Sequence, residues 1–368
     1  MMITRVRVHE YDVAYAHGPY AMSRGRVADS ERSLVVRIDT DEGLTGWAET
    51  CPNGRTYLPS SPEGERAALS ILAPAVLGAD PRLTSVLADL VDSVLLGSLA
   101  AKGALDMACW DILGQSVGLP VHALLGGARQ ESVPLFVGLP FGDDTDPVAF
   151  VEEHRALGVG VFQVKVGGDP LRDAARVRTV VEAAGPASTV LADANCGWSL
   201  SDALVGARAM DGLPVRLEQP CRSFAEMVEL RRHTALPLVF DELVVTVEDL
   251  VRAKLEAGAT GVNLKPGRLG GFTRLRALRD VAQELGMTFT IDDTWGGAIV
   301  SAQNAHLAAS SAPERLTATT YFNQWTVPSI AEAPGVTETG RGVVPTAPGL
   351  GVEPDLSLLS EPTVDVGL

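Results

Sequence analysis

Six ionisable residues close six successive apolar runs: Lys165 after GVFQV, Asp193 after STVLA, Glu218 after PVRL, Asp241 after PLVF, Lys265 after GVNL and Asp292 after MTFTI. Asp193, Glu218 and Asp241 follow one another at intervals of 25 and 23 residues. If each run is a strand of one barrel, the three carboxylates converge at one mouth and repel one another unless a cation is shared among them. Oxygen donors without His or Cys select a hard ion, so Mg²⁺ is expected in preference to Zn²⁺. Any one of these carboxylates alone reads as a cap at a strand-to-helix turn; three in register, flanked by two lysines in register, do not. Counting from VPLFVGLP as the first of eight such runs, Lys165 and Lys265 fall on the second and sixth, hence on opposite sides of a barrel. A partly buried lysine beside Mg²⁺ is expected to have a lowered pKa and to act as a base, and an opposed pair offers one base and one acid to a bound substrate. A lone strand-end lysine would read as an ion-pair partner.

The elements that position these residues are legible from periodicity. ITRVRVHEYDV and SLVVRIDTDEGLTGWAET alternate with period two, and residues 64–125 change to helical spacing, with GALDMACWDILGQSVGLPVHALLGG an Ala/Leu-rich buried helix ending near Gly118 and Pro120. From about residue 130 strands and helices alternate through eight apolar runs, from VPLFVGLP to LTATTYF, which suits a closed parallel barrel. No GxGxxG follows the first strand, against a Rossmann fold. The expected fold is α/β: a modified TIM-type (β/α) barrel of seven to eight units (128–322), an α+β capping domain (1–127), and a C-terminal segment (323–368) packing back on the cap.

At 368 residues, 46% apolar and 21% charged, the chain can fill a sizeable core. A formal net charge of −16 without basic clusters argues against nucleic-acid or anionic-membrane surfaces. The four cysteines form no CxxC pair, no secretory leader opens the chain, and no apolar run is long enough to span a bilayer, so a cytoplasmic protein is expected. Cys196 and Cys221 read as packing residues, and His154, His233 and His306, within helical stretches, as solvated or core residues.

VKVGGD, ADANCGW, LEQP, DE and NLKPGRLGG, with the ALDMACWDILGQSVGLPVHALLGG helix, resemble the enolase superfamily in its muconate lactonizing enzyme/mandelate racemase branch. The resemblance runs from end to end. It implies Asp193, Glu218 and Asp241 as Mg²⁺ ligands, Lys165 and Lys265 as the acid/base pair, and Asn195, Glu242 and Asn263 as orienting neighbours. It also implies a small carboxylate substrate deprotonated at its α-carbon through an enediolate, and a homo-oligomer. Many such relatives carry Lys-x-Lys on the second strand; here the first position is Gln163. The seventh strand ends Asp292-Asp293-Thr294-Trp295-Gly296-Gly297, without the histidine base of mandelate-racemase-like relatives. By analogy the cap loops at 15–27 and 49–60 close over the mouth, with Tyr20, Tyr57, Trp295, Phe322 and Trp325 as an aromatic wall suited to a cationic group. The strand end and lysine pair look similar to hydroxyproline betaine 2-epimerases and cis-3-hydroxyproline dehydratases. N-acylamino acid racemase, dipeptide epimerase, o-succinylbenzoate synthase and muconate cycloisomerase share the lysine pair. Asp292 or Asp293 would serve a dipeptide's ammonium. An inactive barrel acting as a binding protein is the alternative of another class.

Overall fold

In the computed structural model, which describes residues 1–142 and 144–368, eight parallel strands follow one another in chain order: Phe136–Leu139, Val161–Lys165, Thr189–Asp193, Val215–Glu218, Leu238–Phe240, Gly261–Leu264, Thr288–Ile291 and Leu316–Thr319. A parallel bridge between Leu135 and Thr319 brings the first strand beside the last, so the sheet curls into a barrel. The strands coincide with the eight apolar runs of the sequence. Continuous apolar runs are what a sheet covered on both faces requires, since helices outside and packed side chains inside leave neither face in water.

Helices between the strands start sharply. Three consecutive ones, at Leu200–Ala209, Phe224–Arg231 and Val247–Ala257, begin with capping boxes in which Ser199, Ser223 and Thr246 pair with Asp202, Glu226 and Asp249. Each box satisfies two orphan N–H groups and ends the preceding loop within a few residues of the strand. Those short loops keep the strand-end residues close to the barrel mouth.

The cap is an antiparallel sheet. Ile3–Tyr15 pairs with Ser30–Thr40, which pairs with Thr45–Thr50. The C-terminal strand Val364–Gly367 adds to the free edge of Ile3–Tyr15, so the tail completes the cap. Three helices follow, at Pro62–Val76, Thr84–Val94 and Leu99–Val117. The last is buried on nearly all sides, as its composition implies, because it lies between the cap sheet and the barrel. At Gly103 a methyl group would meet the Gly271 backbone nitrogen at 2.8 Å, so a side chain there would push the cap off the barrel. Among the described residues no helix is long and apolar enough to cross a membrane.

Candidate active site

Strand register sets the site. Lys165 is the ladder partner of Asp193, and Asp193 of Glu218, so three ionisable residues form one row across three adjacent strands. Asp241 directly follows the fifth strand, Lys265 the sixth and Asp292 the seventh. All six are buried at the same end of the barrel.

The charges neutralise one another in pairs. Lys165 Nζ donates to Asp193 Oδ2 at 2.5 Å. Lys265 Nζ lies 3.0 Å from Asp241 Oδ2 and 3.7 Å from Asp292 Oδ2. Burial acts to lower both lysines, but Asp193 beside Lys165, and Asp241 with Asp292 beside Lys265, outweigh it and raise both pKa values. The carboxylates here have the ammoniums as their nearest positive charges, whereas the sequence expectation of lowered lysines supposed Mg²⁺ beside them. Among the described residues no group of three His, Cys, Asp or Glu side chains stands ready-arranged around a metal position.

Glu218 tests whether these residues suit a hard cation. Among the described residues its carboxylate receives only neutral donors, Gln163 Nε2 and Asn263 Nδ2, both at 3.1 Å. Burial, then Asp193 and Asp241, push it well above the usual carboxylate range. Asn195 Oδ1, Glu242 Oε2 and Asn263 Oδ1 are enclosed without hydrogen-bond partners among the described residues. Two unit charges 4 Å apart at a partly screened site interact by about 4 kcal/mol. A divalent ion among these oxygens would therefore relieve the repulsion, and an all-oxygen donor set fits Mg²⁺.

The neighbours hold the row in place. The Asn195 N–H donates to Asp193 Oδ1 at 2.8 Å, and its side-chain amide donates to Glu242 Oε1 at 3.2 Å. Burial, Asp241 and Asp193 raise the Glu242 carboxyl to about 7. Arg268, missed in the sequence although it lies within NLKPGRLGG, donates to the carbonyls of Asp241, Val244 and Asn263 and pairs with Asp241 Oδ1 at 2.8 Å. Asp293 lines the cavity beside the lysines, and its oxygens accept the N–H groups of Gly267 and Thr294 at 2.8 Å each. Cys221 is buried and Cys196 partly so. His306 is fully buried, His154 half-buried and His233 exposed.

The cap reaches into the site. Tyr57 Oη accepts from Lys265 Nζ at 2.9 Å and donates to Asp241 Oδ2 at 3.1 Å, while the Arg26 guanidinium lies over its ring at 5.4 Å. Ser23 Oγ donates to the Ala194 carbonyl at 2.8 Å and Arg26 to the Asn195 carbonyl at 2.7 Å, fastening the first cap loop to the Asp193 strand end. Trp295 packs against Tyr20, Phe322 and Trp325 with ring centroids 5.7, 5.8 and 6.2 Å apart, and Tyr15, which the sequence did not single out, joins at 6.3 Å. Tyr20, Tyr57, Trp295, Phe322, Trp325 and both lysines line one cavity of about 30 Å³. A larger cavity of about 790 Å³ lies between the turn at 43–45 and tail residues 332–353, and no lysine or histidine lines it.

Residues 3–126 match the model of the mandelate racemase/muconate lactonizing enzyme N-terminal domain, and residues 146–358 that of the enolase C-terminal domain-like family. A cis-3-hydroxy-L-proline dehydratase from Roseibium aggregatum is 39% identical, over 98% of this chain and 99% of its own. An N-succinyl-L-Arg/Lys racemase from Bacillus cereus is 29% identical over 84% of this chain and 85% of its own. A mandelate racemase/muconate lactonizing enzyme from Roseovarius nubinhibens ISM, complexed with magnesium, superposes with a TM-score of 0.95 at 37% identity, covering 100% of both chains.

Proposed function

This chain belongs to the mandelate racemase/muconate lactonizing enzyme family of the enolase superfamily, and we propose that it removes the α-proton of a small cyclic amino acid of the proline type, using Lys165 and Lys265 as its base and acid. The observation that carries this reading is the pair of buried lysines lining one aromatic-walled cavity beside a row of carboxylates. Mg²⁺ held by Asp193, Glu218 and Asp241 would supply positive charge for the substrate carboxylate as the α-carbon loses its proton.

The chain's own groups do the rest. One lysine takes the proton from Cα; the other stands across the cavity to deliver one. Returning a proton to the opposite face of Cα gives the epimer. If the substrate carries a 3-hydroxyl, the proton goes to that oxygen instead, the C3–O bond breaks, and water leaves with formation of a Cα–Cβ double bond. The enamine then tautomerises to the imino acid. Asp292, 3.7 Å from Lys265, adds negative charge near the rings, a setting that suits a cationic ring nitrogen. Asp293 also lines the cavity, but each of its oxygens already accepts a backbone N–H, which leaves less acceptor capacity for a dipeptide's ammonium. The relative named as a cis-3-hydroxy-L-proline dehydratase, similar over nearly the whole chain, favours dehydration over epimerisation.

A panel in D₂O with Mg²⁺ tests this: proline, proline betaine, cis-3- and trans-4-hydroxyproline, N-acyl amino acids and Ala-Glu-type dipeptides, followed by NMR. Loss of the α-proton signal is expected for proline-type substrates, with pyrroline product from cis-3-hydroxyproline. Exchange confined to acyl amino acids or dipeptides would overturn the substrate class, and no exchange with any of them would favour a binding protein.

A further inference from the structure

Glu49 is a fully buried carboxylate that the chemistry above does not use. It sits on the last cap strand, Thr45–Thr50. Its Oε1 accepts from Tyr11 Oη at 2.6 Å, Ser33 Oγ at 2.7 Å and the Gly297 N–H at 3.1 Å, and its Oε2 from the Val300 N–H at 3.2 Å. Gly297 and Val300 belong to the first turn of the helix Ala298–Ala309, which has no capping side chain of its own. A carboxylate there satisfies orphan N–H groups and faces the positive end of the helix. The cap strand thus supplies the cap for a barrel helix.

The six residues before that helix are Asp292 to Gly297, the segment that carries Trp295. Two further ties hold it to the same cap strand. Gln303, on the helix, brackets the Glu49 backbone through both ends of its amide, at 2.8 and 3.0 Å. Thr294 Oγ1 donates to the Cys51 carbonyl at 2.7 Å. The approach is close: a methyl group on Gly297 would stand 2.3 Å from Tyr11 Oη. Among the described residues the Trp295 indole Nε1 is enclosed without a partner, so its place is set by packing and by the backbone on either side.

We infer that Glu49 is a positioning residue that holds the Trp295 wall of the substrate cavity, so that substrate fit at the barrel depends on a carboxylate supplied by the cap. The kinetic part of this inference rests on the proposed α-proton chemistry; the structural part does not. Glu49→Gln keeps the shape and replaces one acceptor oxygen by a donor, which then opposes a backbone N–H. Ser33→Ala is the control, since it removes a donor on the cap side and leaves both contacts to the helix.

Two measurements decide it. Amide hydrogen exchange by mass spectrometry should speed up across residues 292–301 in Glu49→Gln, and not in Ser33→Ala. With whichever panel substrate the wild type turns over, KM should rise about fivefold in Glu49→Gln with kcat changed less than about twofold, and Ser33→Ala should leave KM unchanged. Unaltered exchange across 292–301 in Glu49→Gln overturns the inference. So does a KM rise that Ser33→Ala reproduces. If Glu49→Gln does not fold, Thr294→Val carries the exchange test, and unchanged protection there overturns it too. A wild type inactive on every panel member would defeat the proposed function alone, because the exchange result stands without substrate.

Discussion

Lys165 has one carboxylate within contact, whereas Lys265 has two and a tyrosine hydroxyl. If they work from opposite faces of Cα, each single variant should stop proton removal from one enantiomer. Lys165→Ala and Lys265→Ala are each expected to slow α-proton exchange by at least about a hundredfold, the usual share of a general acid or base. NMR in D₂O with separate enantiomers checks this, and near-wild-type turnover in both variants would remove the two-base mechanism. Trp295 packs against four other rings and lines the cavity, so Trp295→Ala should raise KM for a cationic proline derivative about tenfold. Steady-state kinetics on proline betaine would show it; an unchanged KM would mean that the rings only pack the loops.

Among the elements, the third, fourth and fifth barrel strands bring Asp193, Glu218 and Asp241 to one end. Each is fixed by the same device: a strand end, a short loop and a capped helix. Their mutual repulsion at Glu218 needs positive charge that the two lysines do not fully provide. Chelation with EDTA should therefore abolish activity, with recovery on added Mg²⁺, and Asp241→Asn should weaken the metal's affinity in a titration. Full turnover in excess EDTA would refute the metal-assisted reading. In the junction helix Leu99–Val117, Asp111 accepts the N–H groups of Trp47 at 2.9 Å and Leu350 at 2.7 Å, joining cap, helix and tail. Asp111→Ala leaves two buried donors unpaired and should destabilise the fold by about 2–4 kcal/mol, measured by urea unfolding. The helix itself was legible from its Ala/Leu-rich composition; the aspartate's partners, 64 and 239 residues away, were not.

Across the whole molecule, the tail is held to the barrel through a titratable group. His306 Nε2 lies 3.0 Å from the Leu350 carbonyl and Nδ1 accepts the His122 N–H at 3.2 Å, which requires a neutral ring. Burial lowers its pKa to about 3. A folded-state value below the unfolded one means stability present above about pH 6.5 and lost as pH falls toward 3. At pH 5 the loss from this group is about 2 kcal/mol relative to pH 7. His306→Gln, which does not titrate, should show a correspondingly smaller drop between those pH values in urea unfolding. An equal drop in both proteins would assign the acid sensitivity elsewhere.

The sequence by itself determined the eight barrel strands, the cap, and the six ionisable strand ends, because strand period, turn chemistry and the position of a residue within a repeated unit are local properties. It also carried the family, through motifs that span the chain. The charge state of the lysines lay beyond it, since that depends on which carboxylate stands nearest in space. Tyr57 meeting Lys265 and Asp241, Arg268 bracing Asp241, and Glu49 capping a helix some 250 residues further on are likewise contacts between distant segments. Burial decides their strength and register decides their partners, and both exist only once the barrel has closed and the cap has docked on it.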